Sequence, residues 1–157
     1  MTVSESKKVG NFFAPATNNK DIKLSALKGY QLALFFYPRD ATPGCTMEAQ
    51  DFGAHYEDFK GIKTVVLGVS RDTLASHESF KLKENLPFEL ISDMEEALCK
   101  QFEVLKPKII GGKTIIGVER STFLIAIDGT LAKEWRGVNV AGHVTEVLAS
   151  AKKLLPQ

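Results

Sequence analysis

Two nearly unbroken apolar runs, QLALFFY at 31–37 and KTVVLGVS at 63–70, stand out along the chain. Runs of this length, rich in aliphatic and β-branched residues, predict strands covered on both faces. Between them the period changes. Cys45, Ala49, Phe52, Tyr56 and Phe59 recur at helical spacing, which predicts one helix with Cys45 on its buried face. TLASHESFKLKENL (73–86) predicts a second helix, FELIS (88–92) a short strand, and DMEEALCKQF (93–102) a third helix. Asp93 is the expected N-cap of that third helix, with Glu95 and Glu96 in its first turn, where the dipole favours acids.

STFLIAI (121–127) and TLAKEWRG (130–137) flank Asp128-Gly129, the strongest short hairpin signal, and predict two antiparallel strands. Val140, Val144, Val147, Leu148, Ala151 and Leu154 form one stripe of a last helix over 140–155, ended by Pro156. PATNNKD (15–21) and KPKIIGGK (106–113) read as loops, the second solvated because its lysines lack interleaved aromatics. The sum is an α/β chain with a mixed sheet flanked by helices, expected to form a single domain over 1–157.

Charge adds little: 20 Lys+Arg against 19 Asp+Glu leave +1, so no global field draws nucleic acid or an anionic membrane. The N-terminus lacks the apolar core of a signal peptide, and no segment has the run of about 18 apolar residues a membrane span needs. The chain is therefore expected in the cytoplasm, where two cysteines argue for redox chemistry, metal binding or burial rather than a structural disulfide.

The chemistry centres on PRDATPGCTMEAQ (38–50). Thr42 reads as N-cap, Pro43 as N1, Gly44 as N2 and Cys45 as N3, which puts the thiol in the first turn of a helix. Free N–H groups and the positive end of the dipole favour a thiolate there. Moving a cysteine pKa from about 8.5 to about 6 raises the thiolate fraction near pH 7 from roughly 3% to roughly 90%. That is worth only about 2 kcal/mol of barrier, so positioned donors must supply the rest. On the residues alone, a cysteine that merely fills the helix–sheet interface remains an equal reading.

PRDATPGC has the spacing P-x-x-x-T-x-x-C through Pro38, Thr42 and Cys45, and FFYPRDATPGCTME resembles the active-site strand, loop and helix of peroxiredoxins. TPGCT with Glu48 resembles the bacterioferritin-comigratory-protein or PrxQ subfamily. LSALKGYQLALFFYP, VVLGVSRD, FELISD and ERSTFLIAIDG extend the resemblance over nearly the whole chain. It implies a thioredoxin-like fold and reduction of hydrogen peroxide or small organic hydroperoxides without metal or haem. Cys45 would be the peroxidatic nucleophile that becomes a sulfenic acid, Thr42 would bond thiolate and peroxide, Pro38 would shield them from water, and Arg120 would donate to both. Glu48 would orient an arginine, either Arg120 or Arg39. Thioredoxin, glutaredoxin or a small thiol would be the reductant, and members of this subfamily are often monomers.

Many members carry a resolving cysteine five positions after the first, where this chain has Gln50, or on the next helix, which here has none. Cys99 is the only other thiol. Read as a small core residue, it leaves a one-Cys mechanism with an external reductant; read as the resolving thiol, it makes a two-Cys enzyme. A non-enzymatic peroxide sensor would use the same sulfenic acid. Disulfide exchange of the thioredoxin kind is disfavoured, since Thr42 stands where C-x-x-C needs its first cysteine. His55, His77 and His143 lack metal-ligand spacing and read as surface or boundary residues. GGKT (111–114) is no phosphate loop, because Pro107 occupies the place of the first glycine.

Overall fold

The computed structural model describes residues 3–155. Its elements are β1 (Phe13–Ala16), β2 (Lys20–Lys23), β3 (Gln31–Phe36), α1 (Pro43–Ala54), α2 (Tyr56–Gly61), β4 (Thr64–Ser70), α3 (Leu74–Glu84) and β5 (Glu89–Ser92), then α4 (Ala97–Gln101), β6 (Leu105–Ile110), β7 (Lys113–Val118), β8 (Ser121–Ile125), β9 (Leu131–Arg136) and α5 (His143–Leu154). Seven strands form one mixed sheet in the order β2-β1-β5-β4-β3-β8-β9. The β3–β4 and β4–β5 pairs are parallel, while β1 and β8 join antiparallel to β5 and β3. This is the thioredoxin-like α/β architecture, and β3 lies within the sheet, with β4 and β8 on either side.

Every residue of β3 is buried, as its apolar run demands. Leu32, Leu34 and Phe36 enter one core layer with β1 and α4, whereas Ala33, Phe35 and Tyr37 enter the other with α1, α2, α3 and α5. Phe35 stacks on Phe52 of α1 at 4.4 Å between ring centroids. The glycine in β4 has a steric reason: a Cβ at Gly68 would lie 2.9 Å from Phe35 Cζ and 2.8 Å from Leu90 Cδ2. Cys45 belongs to the α1 layer and Cys99 to the α4 layer, so the two thiols occupy opposite faces of the sheet.

Both segments read as loops contain hairpins. At 15–21, β1 and β2 pair through a turn in which Asn18 and Asn19 take φ of 60° and 55°. Two left-handed residues are what a tight hairpin turn requires, and Asn tolerates them. At 106–113, β6 and β7 pair as a separate two-stranded sheet whose outer half is exposed. With so little of it buried, it has no alternating signature.

The single helix expected over 45–59 breaks at His55, although Phe52 and Phe59 still face the core. The helix at 93–102 shrinks to α4, with Glu96 as its N-cap at φ 64° and Glu95 and Glu96 outside the first turn. Asp93 still caps it by accepting from the Leu98 and Cys99 N–H groups at 3.0 and 2.8 Å. The last helix starts at His143, leaving Val140 outside, and Pro156 lies outside the described residues. His77 and His143 are buried, against expectation, because each finds a polar partner inside. Among the described residues no helix is long and apolar enough to cross a membrane.

Candidate active site

The chain leaves β3 through Tyr37 and Pro38 and enters α1 at Pro43. Thr42 is the N-cap, extended at φ −84° and ψ 153°, and its carbonyl accepts the first helical hydrogen bond from Thr46 N–H at 2.9 Å. Proline at the first helical position loses nothing, since its N–H would be unpaired. Cys45 therefore sits in the first turn, as the sequence pattern requires, with 1% of its surface exposed. Its Sγ accepts from Arg120 Nη2 at 3.5 Å.

Arg120 occupies the short link between β7 and β8, where its carbonyl is fixed by Val138 N–H at 3.0 Å. Its Nη1 donates to Glu48 Oε1 at 2.8 Å. Glu48 is fully buried one helical turn beyond Cys45, and its Oε2 has no hydrogen-bond partner. Burial pushes the Glu48 carboxyl up to about 7 against the pull of the Arg120 hydrogen bond and charge. Of the two arginines considered for Glu48, the partner is Arg120; Arg39 is exposed. Gly44 makes room for this arrangement, since a Cβ there would come within 3.1 Å of Arg120 Nη2.

The Thr42 hydroxyl donates to the Arg39 carbonyl at 2.9 Å, so its proton is directed at the loop backbone rather than at Cys45. Pro38 is half-buried at the end of the strand. Cys99 is fully buried, and burial pushes its thiol pKa up, with the Asp93 carboxylate adding to the effect. The structure thus brings Cys45, Arg120, Glu48 and Gly44 into one group and leaves Cys99 behind the sheet. Phe12 and Phe102 lie in the layer on the far side from Cys45.

The sequence reading passed over Asp40 in the loop before Thr42. Its carboxylate is buried and bonded to Tyr37 and His77. An aspartate among Pro, Arg and Ala looks like any solvated turn residue, so the sequence carried no signal for it.

A thiol held at a helix N-terminus beside a guanidinium suits nucleophilic attack on a small polarised bond. Comparison with known proteins decides which chemistry this is. The AhpC/TSA family matches residues 6–134. Peroxiredoxin Bcp of Xanthomonas campestris is 47% identical over 82% of this chain and 81% of its own length. The chain belongs to the peroxiredoxins. Peroxiredoxin Bcp of Bacillus subtilis is 44% identical over 98% of both chains. Among solved structures, Xanthomonas campestris peroxiredoxin Q superposes with a TM-score of 0.89 at 42% identity over 92% of each chain. A Xylella fastidiosa PrxQ mutant superposes with 0.92 at 37% identity over 98% of each chain. This peroxiredoxin is of the Bcp/PrxQ kind, an enzyme that reduces peroxide at the expense of a thiol.

Proposed function

We propose that this peroxiredoxin reduces hydrogen peroxide and small organic hydroperoxides through Cys45 by a one-Cys mechanism. The Cys45 thiolate attacks one peroxide oxygen, the O–O bond breaks, and the departing oxygen takes a proton and leaves as water or alcohol. Cys45 is left as a sulfenic acid. An external thiol then forms a mixed disulfide with release of water, and a second thiol restores Cys45 while the reductant leaves as a disulfide. Thioredoxin, glutaredoxin or a small thiol can fill that role.

The observation that carries this reading is the Arg120 guanidinium, in contact with both Glu48 and the Cys45 sulfur. A cation there strengthens its hold as charge moves onto the leaving oxygen. The first-turn N–H groups, and the Thr42 hydroxyl once it turns away from the Arg39 carbonyl, complete the donor set as peroxide enters, and Pro38 shields it from water. Organic hydroperoxides are included because a structure of the related Xanthomonas campestris protein is described in terms of its alkyl peroxide reduction activity. The one-Cys assignment is supported by Cys99, which is buried in the layer opposite Cys45. A disulfide needs Cα atoms within about 7 Å and Cβ atoms turned toward each other.

Intact-mass analysis after one equivalent of hydrogen peroxide and immediate alkylation tests both parts. Wild type and Cys99→Ser are each expected to gain one oxygen at Cys45, and Cys45→Ser none. Loss of two hydrogens in wild type, absent from Cys99→Ser, would make Cys99 the resolving thiol. Sustained peroxide turnover by Cys45→Ser would overturn the nucleophile.

A further inference from the structure

Asp40 gathers the buried and half-buried polar side chains next to the β3–α1 loop into one hydrogen-bonded set. Its Oδ1 accepts from the Tyr37 hydroxyl at 2.6 Å, and its Oδ2 accepts from the Ser76 hydroxyl at 2.8 Å and from His77 Nδ1 at 2.7 Å. The Asp40 N–H donates to Asp72 Oδ2 at 2.9 Å, and the same oxygen accepts from the Ser70 hydroxyl. On its far side, His77 Nε2 lies 2.9 Å from the Ile91 carbonyl.

A carbonyl only accepts, so Nε2 carries a hydrogen. Burial pushes the Asp40 carboxyl up, but the hydrogen bonds from His77, Tyr37 and Ser76 outweigh it and hold it below the usual carboxylate range. The His77 ring and the Asp40 carboxylate form a buried pair, with side chains 0% and 4% exposed. Asp40, Asp72 and His77 present ligand atoms within 4.8 Å of one another, yet those atoms are already engaged in hydrogen bonds with the protein. Such a buried pair adds little net stability, because desolvation offsets the attraction; its contribution is geometry.

That geometry bears on the nucleophile. Asp40 is tied back to Tyr37 at the end of β3, to Asp72 after β4, and to Ser76 and His77 of α3. Only Ala41 separates it from Thr42, and Ala41 lies at φ 63°, a left-handed conformation that a non-glycine residue adopts at a cost. Thr42 then returns to extended backbone and starts α1. We propose that Asp40, clamped by His77, is a positioning residue for peroxide reduction: it holds Ala41 left-handed and so sets Thr42 and the first turn of α1 against Arg120. This rests on Cys45 being the nucleophile.

The test is the second-order rate constant for oxidation of Cys45 by hydrogen peroxide, with folding followed by circular dichroism. Asp40→Asn is expected to slow oxidation at least tenfold. If Asp40 acts through Thr42, adding Asp40→Asn to Thr42→Val lowers the rate less than threefold further. Ala41→Gly in the Asp40→Asn background should return at least threefold, because glycine reaches the left-handed region freely. A folded Asp40→Asn protein with the wild-type rate, fully multiplying losses with Thr42→Val, or no recovery with Ala41→Gly would each overturn the proposal. Should Asp40→Asn not fold, Ser76→Ala removes one bond to the same carboxylate; a rate two- to fivefold lower supports the role, and the wild-type rate overturns it. Cys45→Ser run alongside separates the failures, since oxidation that persists there removes the nucleophile itself, whatever Asp40 does.

Discussion

Arg120 divides its guanidinium between Glu48, whose Oε1 accepts from Nη1 at 2.8 Å, and Cys45, whose Sγ accepts from Nη2 at 3.5 Å. Two acceptors at fixed separation suit a planar fork, and no other cationic side chain offers one. The helix supplies Cys45 and Glu48 one turn apart, while the β7–β8 link supplies the arginine. The site therefore depends on how the antiparallel half of the sheet is set against α1.

Arg120→Lys tests the fork directly. An ammonium on a flexible stem cannot hold both acceptors in one geometry, and the buried carboxylate competes for it. Oxidation of Cys45 by hydrogen peroxide is expected to slow about 100-fold, the low end of the ~10²–10³ lost when a charge-stabilising donor is removed. Rapid-quench mass spectrometry on the folded variant reads the rate. Oxidation within threefold of wild type would show that a point charge suffices.

Much of this site was legible in the sequence because its parts are local. Thr42, Pro43, Gly44 and Cys45 specify a helix start by their own backbone preferences, and the β3 run and the Asp128-Gly129 turn declare themselves in the same way. Glu48 follows from helical spacing. Arg120 is 75 positions from Cys45 and was reached only through resemblance to a family. Asp40 and His77 were missed because their meaning lies in a contact across 37 positions, between two residue types that usually face solvent. The β6–β7 hairpin escaped because a ribbon exposed over its outer half leaves no alternation to detect.

Glu48→Gln should change how stability depends on pH. Burial raises the folded Glu48 pKa from 4.5 to about 7, so the folded state holds the extra proton across that window. Its contribution is present below about pH 4.5 and is lost as pH rises through 7, a change of about 3 kcal/mol. His143 works in the opposite sense. Burial lowers its pKa from 6.5 to about 4, so its contribution is present above 6.5 and lost as pH falls through 4. The two flatten the wild-type curve between them. Glu48→Gln removes one, and denaturant midpoints from pH 4.5 to 7.5 should then show the variant gaining on wild type by about 3 kcal/mol as pH rises. A difference independent of pH would mean that Glu48 ionises alike in both states.

Gly44→Ala should separate stability from activity. Alanine is the better residue within a helix by about 0.5–1 kcal/mol. Yet its Cβ would stand 3.1 Å from Arg120 Nη2, the nitrogen that donates to Cys45, so the guanidinium must give by a few tenths of an ångström. The expected result is an unchanged or higher melting temperature with Cys45 oxidation slowed about tenfold, the scale set by sub-ångström misplacement of a catalytic donor. Faster or equal oxidation would show that Gly44 is there for the turn alone.

Cys99 gives the sharpest contrast with Cys45, because two residues of one type occupy opposite faces of one sheet. Cys99 is fully buried in a layer with Phe36, Leu98, Phe102 and Val104, and its thiol is kept protonated by burial and the neighbouring Asp93. A thiol in that state is a poor nucleophile and a good core residue. Cys99→Ala should therefore cost about 1 kcal/mol of stability for the lost sulfur contacts. Peroxide turnover with dithiothreitol as reductant should stay at the wild-type rate. Iodoacetamide gives the matching reading: the native enzyme takes one label, on Cys45, and takes the second only once denatured. A native Cys99 labelled as fast as Cys45, or a loss of turnover in a well-folded Cys99→Ala enzyme, would place the second thiol within the catalytic cycle.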